Sequence, residues 1–321
     1  MAMNATTSDR PKYRHALPQL GQTLFLTDGG IETTLIYHEG LDLPYFAAFD
    51  LLRTVTGRAA LRRYYESHAG IARRRGVGFV LESATWRASA DWGAKLGYSA
   101  AELAEVNHQA IVLLHVLRSQ FEDDRAPVVI SGCIGPRGDG YKADRRMTPV
   151  EAEAYHAVQA GIFAEAGADL ITAITMTYAE EAIGIVRAAQ QADMPVVISF
   201  TTETDGRLPG GQSLSDAIAQ VDAATAAAPA YYMINCAHPI HFAESLAAGG
   251  AWVKRIRGLR ANASTKSHAE LDACTELDAG SPAELGAQYR VLRRMFPHFT
   301  VLGGCCGTDH RHINAICEAC A

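Results

Sequence analysis

Short runs of β-branched and apolar residues recur eight times along the chain, each followed by a longer stretch with helical spacing. The runs are LFLTDGG (24–30), GVGFVLESATW (76–86), APVVISGCIG (126–135), DLITAITMT (169–177), MPVVISFT (194–201), AYYMINCAH (230–238), IRGLRANAS (256–264) and TVLGGCCG (300–307). Most are continuously apolar rather than alternating, as expected of strands covered on both faces. Two of the intervening stretches, 101–121 and 281–296, predict amphipathic helices, and the second opens with the start signals Ser281, Pro282 and Glu284. The basic run Arg73 to Arg75 is expected to close a helix, where positive charge suits the helix dipole. Eight βα units without a linker-like gap predict a single (β/α)₈ barrel over 1–321, with 1–20 as an N-terminal extension. A doubly wound sheet fits less well. The first strand leads into Asp28, Gly29, Gly30, Ile31 and Glu32 instead of a Gly-x-Gly-x-x-Gly turn.

Composition narrows the function. Hydrophobic residues make up 48% and charged residues 20%, ordinary for a globular protein, and the formal charge of −6 comes with no dense basic stripe for nucleic acid. No apolar stretch has the length of a membrane span, and the first 20 residues show no secretory h-region. With seven cysteines, that predicts reduced thiols in a cytoplasmic protein, with metal binding or catalysis ahead of disulfides.

In such barrels the active site forms at the C-terminal ends of the strands. The unusual residues of this chain collect there. Strand one ends at Asp28, strand two at Glu82, Thr85 and Trp86, and strand three at Cys133. Strand six ends at Asn235, Cys236 and His238, and strand eight at Cys305 and Cys306 between glycines. Three thiolates at one face of a barrel predict a Zn²⁺ site on Cys236, Cys305 and Cys306, with one tetrahedral position open as in catalytic centres. Adjacent cysteines in a strand point to opposite sides, and flanking glycines would let the backbone turn both toward one ion. A soft, electron-rich donor set makes zinc a weak acid for water but suits binding a substrate thiol as its nucleophilic thiolate. Methyl transfer to that thiolate from a sulfonium or quaternary ammonium donor follows. A zinc lyase or hydrolase on the same barrel is the alternative.

The segments DGGIETTL, ESATW, GCIGP, ISFT, NCAHP and GGCCGT together resemble the homocysteine S-methyltransferase family, from about Leu24 to Ile313. The resemblance implies a (β/α)₈ barrel, zinc on Cys236, Cys305 and Cys306, and methylation of homocysteine in methionine biosynthesis. It also implies an amino-acid site at Asp28, Gly29 and Gly30, with glycine N–H groups for the carboxylate and Asp28 for the ammonium. The family carries a glutamate on strand four for that ammonium, and here Ile174 stands in its place. Losing one charged hydrogen bond costs about 1.5–3 kcal/mol. Either Glu32 or Glu203 substitutes, or the acceptor is a different thiol. Strand two and strand seven (Ala261 to Ser264) also depart from the family pattern.

Other residues divide between site and scaffold. Trp86, Tyr141 and Tyr178 are candidates to face a cationic donor. Asn235 and Thr85 are candidates for substrate contact, Asn235 also for a hydrogen bond to a cysteine sulfur. His238 is expected to orient its loop, His310 and His312 to lie on the surface, and Cys317 and Cys320 to be inert helix residues. The donor and a small-molecule thiol are the expected partners, and no cobalamin or folate module is recognisable.

Overall fold

A computed structural model describes residues 10–321. Eight parallel strands close into a barrel in sequence order, β1 (Phe25–Leu26), β2 (Gly78–Glu82), β3 (Val128–Ile134), β4 (Leu170–Met176), β5 (Val196–Thr201), β6 (Tyr231–Asn235), β7 (Ile256–Ala261) and β8 (Val301–Gly304). Closure is made where Phe25 and Leu26 pair with Val301 and Leu302. Every strand lies within its expected segment, so the (β/α)₈ barrel expected from the apolar runs is the fold.

Helices α1 (Ile31–Tyr37), α2 (Val55–Arg75), α3 (Ala90–Lys95), α4 (Ala100–Phe121), α5 (Pro149–Glu165), α6 (Ala179–Gln191), α7 (Leu214–Thr225), α8 (Pro239–Ala247), α9 (His268–Asp272), α10 (Pro282–Met295) and α11 (His310–Cys320) follow or elaborate the crossovers. Their starts follow local chemistry. Ser99 and Glu102 form a reciprocal capping box on α4, and Thr148 and Glu151 do the same on α5, where Pro149 occupies the first turn. The arginine run does close α2.

Two apolar layers hold the barrel. Outward-facing strand residues such as Phe79, Ile130, Ile171 and Ile198 pack under the helices. The inward layer contains Phe25, Val80, Val129, Leu170, Val197, Tyr231, Met233 and Val301. Residues 10–20, expected as an extension, lie against the N-terminal end of the barrel. Tyr13 and Leu17 join the inward layer, and the Lys12 and Tyr13 N–H groups donate to Asp169 at 2.6 and 2.8 Å. Side chains alternate along a strand with a period of two, so continuing the inward layer toward the C-terminal ends brings Glu82, Cys133, Ile174, Asn235 and Arg260 to the mouth of the barrel. That mouth carries the chemistry.

Candidate active site

A cavity of about 320 Å³ opens at the C-terminal mouth. Its wall includes Asp28, Gly29, Gly30, Glu32, Glu82, Trp86, Arg87, Cys133, Tyr141, Ile174, Arg260 and all three expected cysteines. The sulfurs of Cys236, Cys305 and Cys306 lie within 4.8 Å of one another. Cys236 and Cys306 are 3.9 Å apart, while Cys236 and Cys305 are joined as a disulfide, where reduced thiols were expected. Ligands about 2.3 Å from a tetrahedral zinc stand roughly 3.8 Å apart. The cluster therefore fits the ion once that pair is reduced.

Local backbone brings the sulfurs together. Cys236 follows β6 in the left-handed region at φ 52°, a conformation that costs a non-glycine residue of order 1 kcal/mol. Its N–H donates to Arg260 O at 3.1 Å, which ties it to the end of β7. On β8, a Cβ at Gly303 would meet Thr27 Oγ1 at 1.8 Å, and one at Gly304 would meet Thr308 Oγ1 at 2.0 Å. These glycines are required by the close approach of β1 and of the turn after Cys306. Cys305 and Cys306 then lie just past the strand, out of its alternation. The Tyr141 hydroxyl donates to Cys306 Sγ at 3.3 Å, and its ring stacks on His268 at 4.0 Å. Burial raises the Cys306 thiol pKa, against the Tyr141 hydrogen bond that favours the thiolate.

The floor of the cavity is a buried ion cluster. Arg260 bonds to Asp28 at 2.6 Å, to Gly304 O at 3.1 Å, and to Glu82. Burial disfavours its charge, but Glu82 and Asp28 outweigh that and raise its pKa. Tyr64 donates a further hydrogen bond to Asp28 at 3.0 Å. Burial pushes Glu82 up to about 7, against the pull of Arg260, and leaves its Oε1 without a partner. Glu32 is also pushed up to about 7, chiefly by removal from water. Nothing in the residue pattern had singled out Arg260. An arginine inside an otherwise apolar strand, LRAN, was the available signal, because such residues are almost never buried unless paired.

The other expected residues divide. Trp86 lines the cavity, with its indole N–H toward Ile174 O at 3.3 Å. The expected pair of free glycine N–H groups is not formed, because Gly30 N donates to Thr308 O at 3.0 Å. Thr85 is absent from the wall and is fully buried, donating to Cys133 O at 2.7 Å. Asn235 is also behind the wall. Its Oδ1 accepts from Thr175 N at 3.0 Å and Ser199 Oγ at 2.6 Å, and its Nδ2 lies 3.9 Å from Cys305 Sγ. Glu203 pairs with His268 away from the cavity, so of the two substitute acids only Glu32 reaches it. Tyr178 binds Met147 N at 2.9 Å and is likewise outside. His238 caps α8, as a loop-orienting residue would. His312 is a correction: it is buried, with its ring engaged by Asp309 and by Ala279 O, because the start of α11 is folded under the turn before α10. Cys317 and Cys320 are buried in α11. Among the described residues no helix is long and apolar enough to cross a membrane.

Comparison with known proteins adds to this geometry. A family model described as homocysteine S-methyltransferase matches residues 25–320. The fold resembles the homocysteine methyltransferase MmuM from Escherichia coli. Its oxidised form superposes with a TM-score of 0.71 at 20% identity, covering 94% of this chain and 97% of that one. Its metallated form gives 0.69 at 18% identity, covering 95% and 98%. At these identities the structures share a fold. No curated protein sequence matches the chain.

Proposed function

We propose, for a chain that belongs to the homocysteine S-methyltransferase family over residues 25–320, that it is a zinc-dependent thiol methyltransferase working at the mouth of its barrel. Methyl transfer is the family's chemistry; the metal, the donor and the acceptor are the proposal. The observation that carries it is the convergence of Cys236, Cys305 and Cys306 on one point of the cavity wall. When bound there, zinc supplies the Lewis acidity that keeps an acceptor thiol in its thiolate form at neutral pH.

The chain's own residues would do the rest. Cys236, Cys305 and Cys306 hold the ion, and Tyr141 orients Cys306 through its hydroxyl. Asn235 fixes the ends of β4, β5 and β6 behind the sulfurs. Tyr141, with Asp139, Asp272 and Glu276 at the same cavity, forms a wall suited to a sulfonium or quaternary ammonium donor. The acceptor is a small thiol, homocysteine in the family's usual reaction, and the compartment is the reducing cytoplasm that free cysteine ligands need.

The test is metal content and turnover on reduced protein. One zinc per chain in the wild type, lost in Cys236→Ser, Cys305→Ser and Cys306→Ser, together with thiol-dependent demethylation of a sulfonium or betaine donor, is expected. Reduced protein that takes up no zinc would refute the proposal.

A further inference from the structure

One cation of the cavity wall has no carboxylate partner among the described residues. Arg87, directly after Trp86 in the turn that follows β2, is 7% exposed. Its guanidinium carbon lies 4.0 Å from the Trp86 ring centroid and 3.9 Å from that of Trp92. Its Nη1 donates to Gly138 O at 2.8 Å, while its Nε is buried and bonded to nothing. Among the described residues no carboxylate comes within 4.0 Å of it. Asp139 and Glu32 act on it only through the longer-range field. The other buried arginines, Arg118 and Arg260, each hold a carboxylate. An uncompensated buried charge costs several kcal/mol, which a ligand of opposite charge relieves.

The rest of the wall points to the same class of ligand. Next to Arg260 a substrate ammonium finds weak anchors, since Asp28 and Glu82 are held by that arginine, burial pushes Glu32 up to about 7, and Ile174 offers only an apolar surface, while Asp139, Asp272 and Glu276 belong to the wall suited to the cationic donor. The indoles lie against the guanidinium, so hydrogen bonding is left to its edge, which matches the planar two-oxygen face of a carboxylate. We propose that Arg87 is a specificity-determining residue that binds the carboxylate of a substrate. This rests on the thiol-methyltransfer reading and assigns the substrate class within it. The carboxylate can belong to the acceptor thiol or to the methyl donor, and the same chemistry serves either.

Titration calorimetry on zinc-loaded protein separates these cases. The acceptor pair is 4-mercaptobutanoate against 4-mercaptobutanamide, and the donor pair is 3-(dimethylsulfonio)propanoate against its amide. In at least one pair the acid is expected to bind roughly tenfold or more tightly than the amide, the worth of a charged hydrogen bond. In Arg87→Met that ratio should fall to near one, and in Arg87→Lys it should be partly kept, with zinc content unchanged in both. Loss of the ratio in the thiol pair places the carboxylate on the acceptor; loss in the sulfonium pair places it on the donor. Should Arg87→Met not fold, the Lys variant and the wild-type ratios still decide. Acid and amide binding equally in both pairs would overturn the role of Arg87 while leaving thiol methyl transfer intact. Binding of none of the four compounds to zinc-loaded protein would overturn both.

Discussion

Replacing Arg260 with leucine tests whether the floor of the cavity is the ion cluster described. Arg260, Asp28 and Glu82 are 6%, 4% and 5% exposed, so the substitution strands two carboxylates out of reach of water. Breaking a buried ion pair by removing one partner costs about 3–5 kcal/mol. The loss should depend on pH in a definite direction. Glu82 already has its folded pKa raised from 4.5 to about 7. A carboxyl with a raised folded pKa holds its proton more tightly in the native state. Its protonation therefore favours folding below about 4.5, and that advantage is lost as pH rises through about 7. A displacement of this size corresponds to about 3 kcal/mol at most. Without Arg260 the folded pKa of Glu82 climbs further, so at pH 5.5 the carboxyl is neutral and needs no cation. Urea denaturation of reduced protein should give a deficit of about 3–5 kcal/mol at pH 8 and a clearly smaller one at pH 5.5. Adding Glu82→Gln to Arg260→Leu should recover part of the loss at pH 8. A deficit below about 1 kcal/mol at pH 8, or a larger one at pH 5.5, would refute the reasoning.

Asn235→Ala removes the side chain that joins Thr175 and Ser199 across three strands and leaves the buried Thr175 N–H without an acceptor; a loss of about 2–4 kcal/mol in urea denaturation is expected. Ile174→Glu puts a carboxylate at the cavity wall. Calorimetry should show homocysteine binding roughly tenfold tighter, with no gain for 4-mercaptobutanoate, and equal gains for both ligands would show that the introduced carboxylate does not contact the ammonium.

Legibility differed between the metal centre and the pocket. Cys236, Cys305 and Cys306 could be read in advance because strand ends in a parallel barrel all meet at one face, whatever their separation in sequence. The glycines around Cys305 carried a real constraint, although the physical cause is crowding by Thr27 and Thr308 rather than freedom to turn alone. Thr85 was misplaced because it lies in the irregular segment after β2, where only the folded chain shows that its hydroxyl is spent on the Cys133 carbonyl. Gly30 was expected to offer its N–H to a ligand, but the Thr308 carbonyl takes it, and only the folded turn after Cys306 brings that carbonyl there.

The eight apolar runs by themselves determined the barrel, since strands buried on both faces need continuous hydrophobicity and the helices between them enforce parallel order. They also determined which end would hold the chemistry. The state of the charges was decided only by tertiary structure. Asp28 follows β1, Glu82 and Arg260 lie on β2 and β7, and the three are far apart in sequence, so their mutual neutralisation exists only once the barrel has closed. Arg87 likewise becomes an unpaired buried cation only when Trp86, Trp92 and the Gly138 loop enclose it. Composition sets how many charges a chain carries, but burial and distance set which of them remain free to meet a substrate.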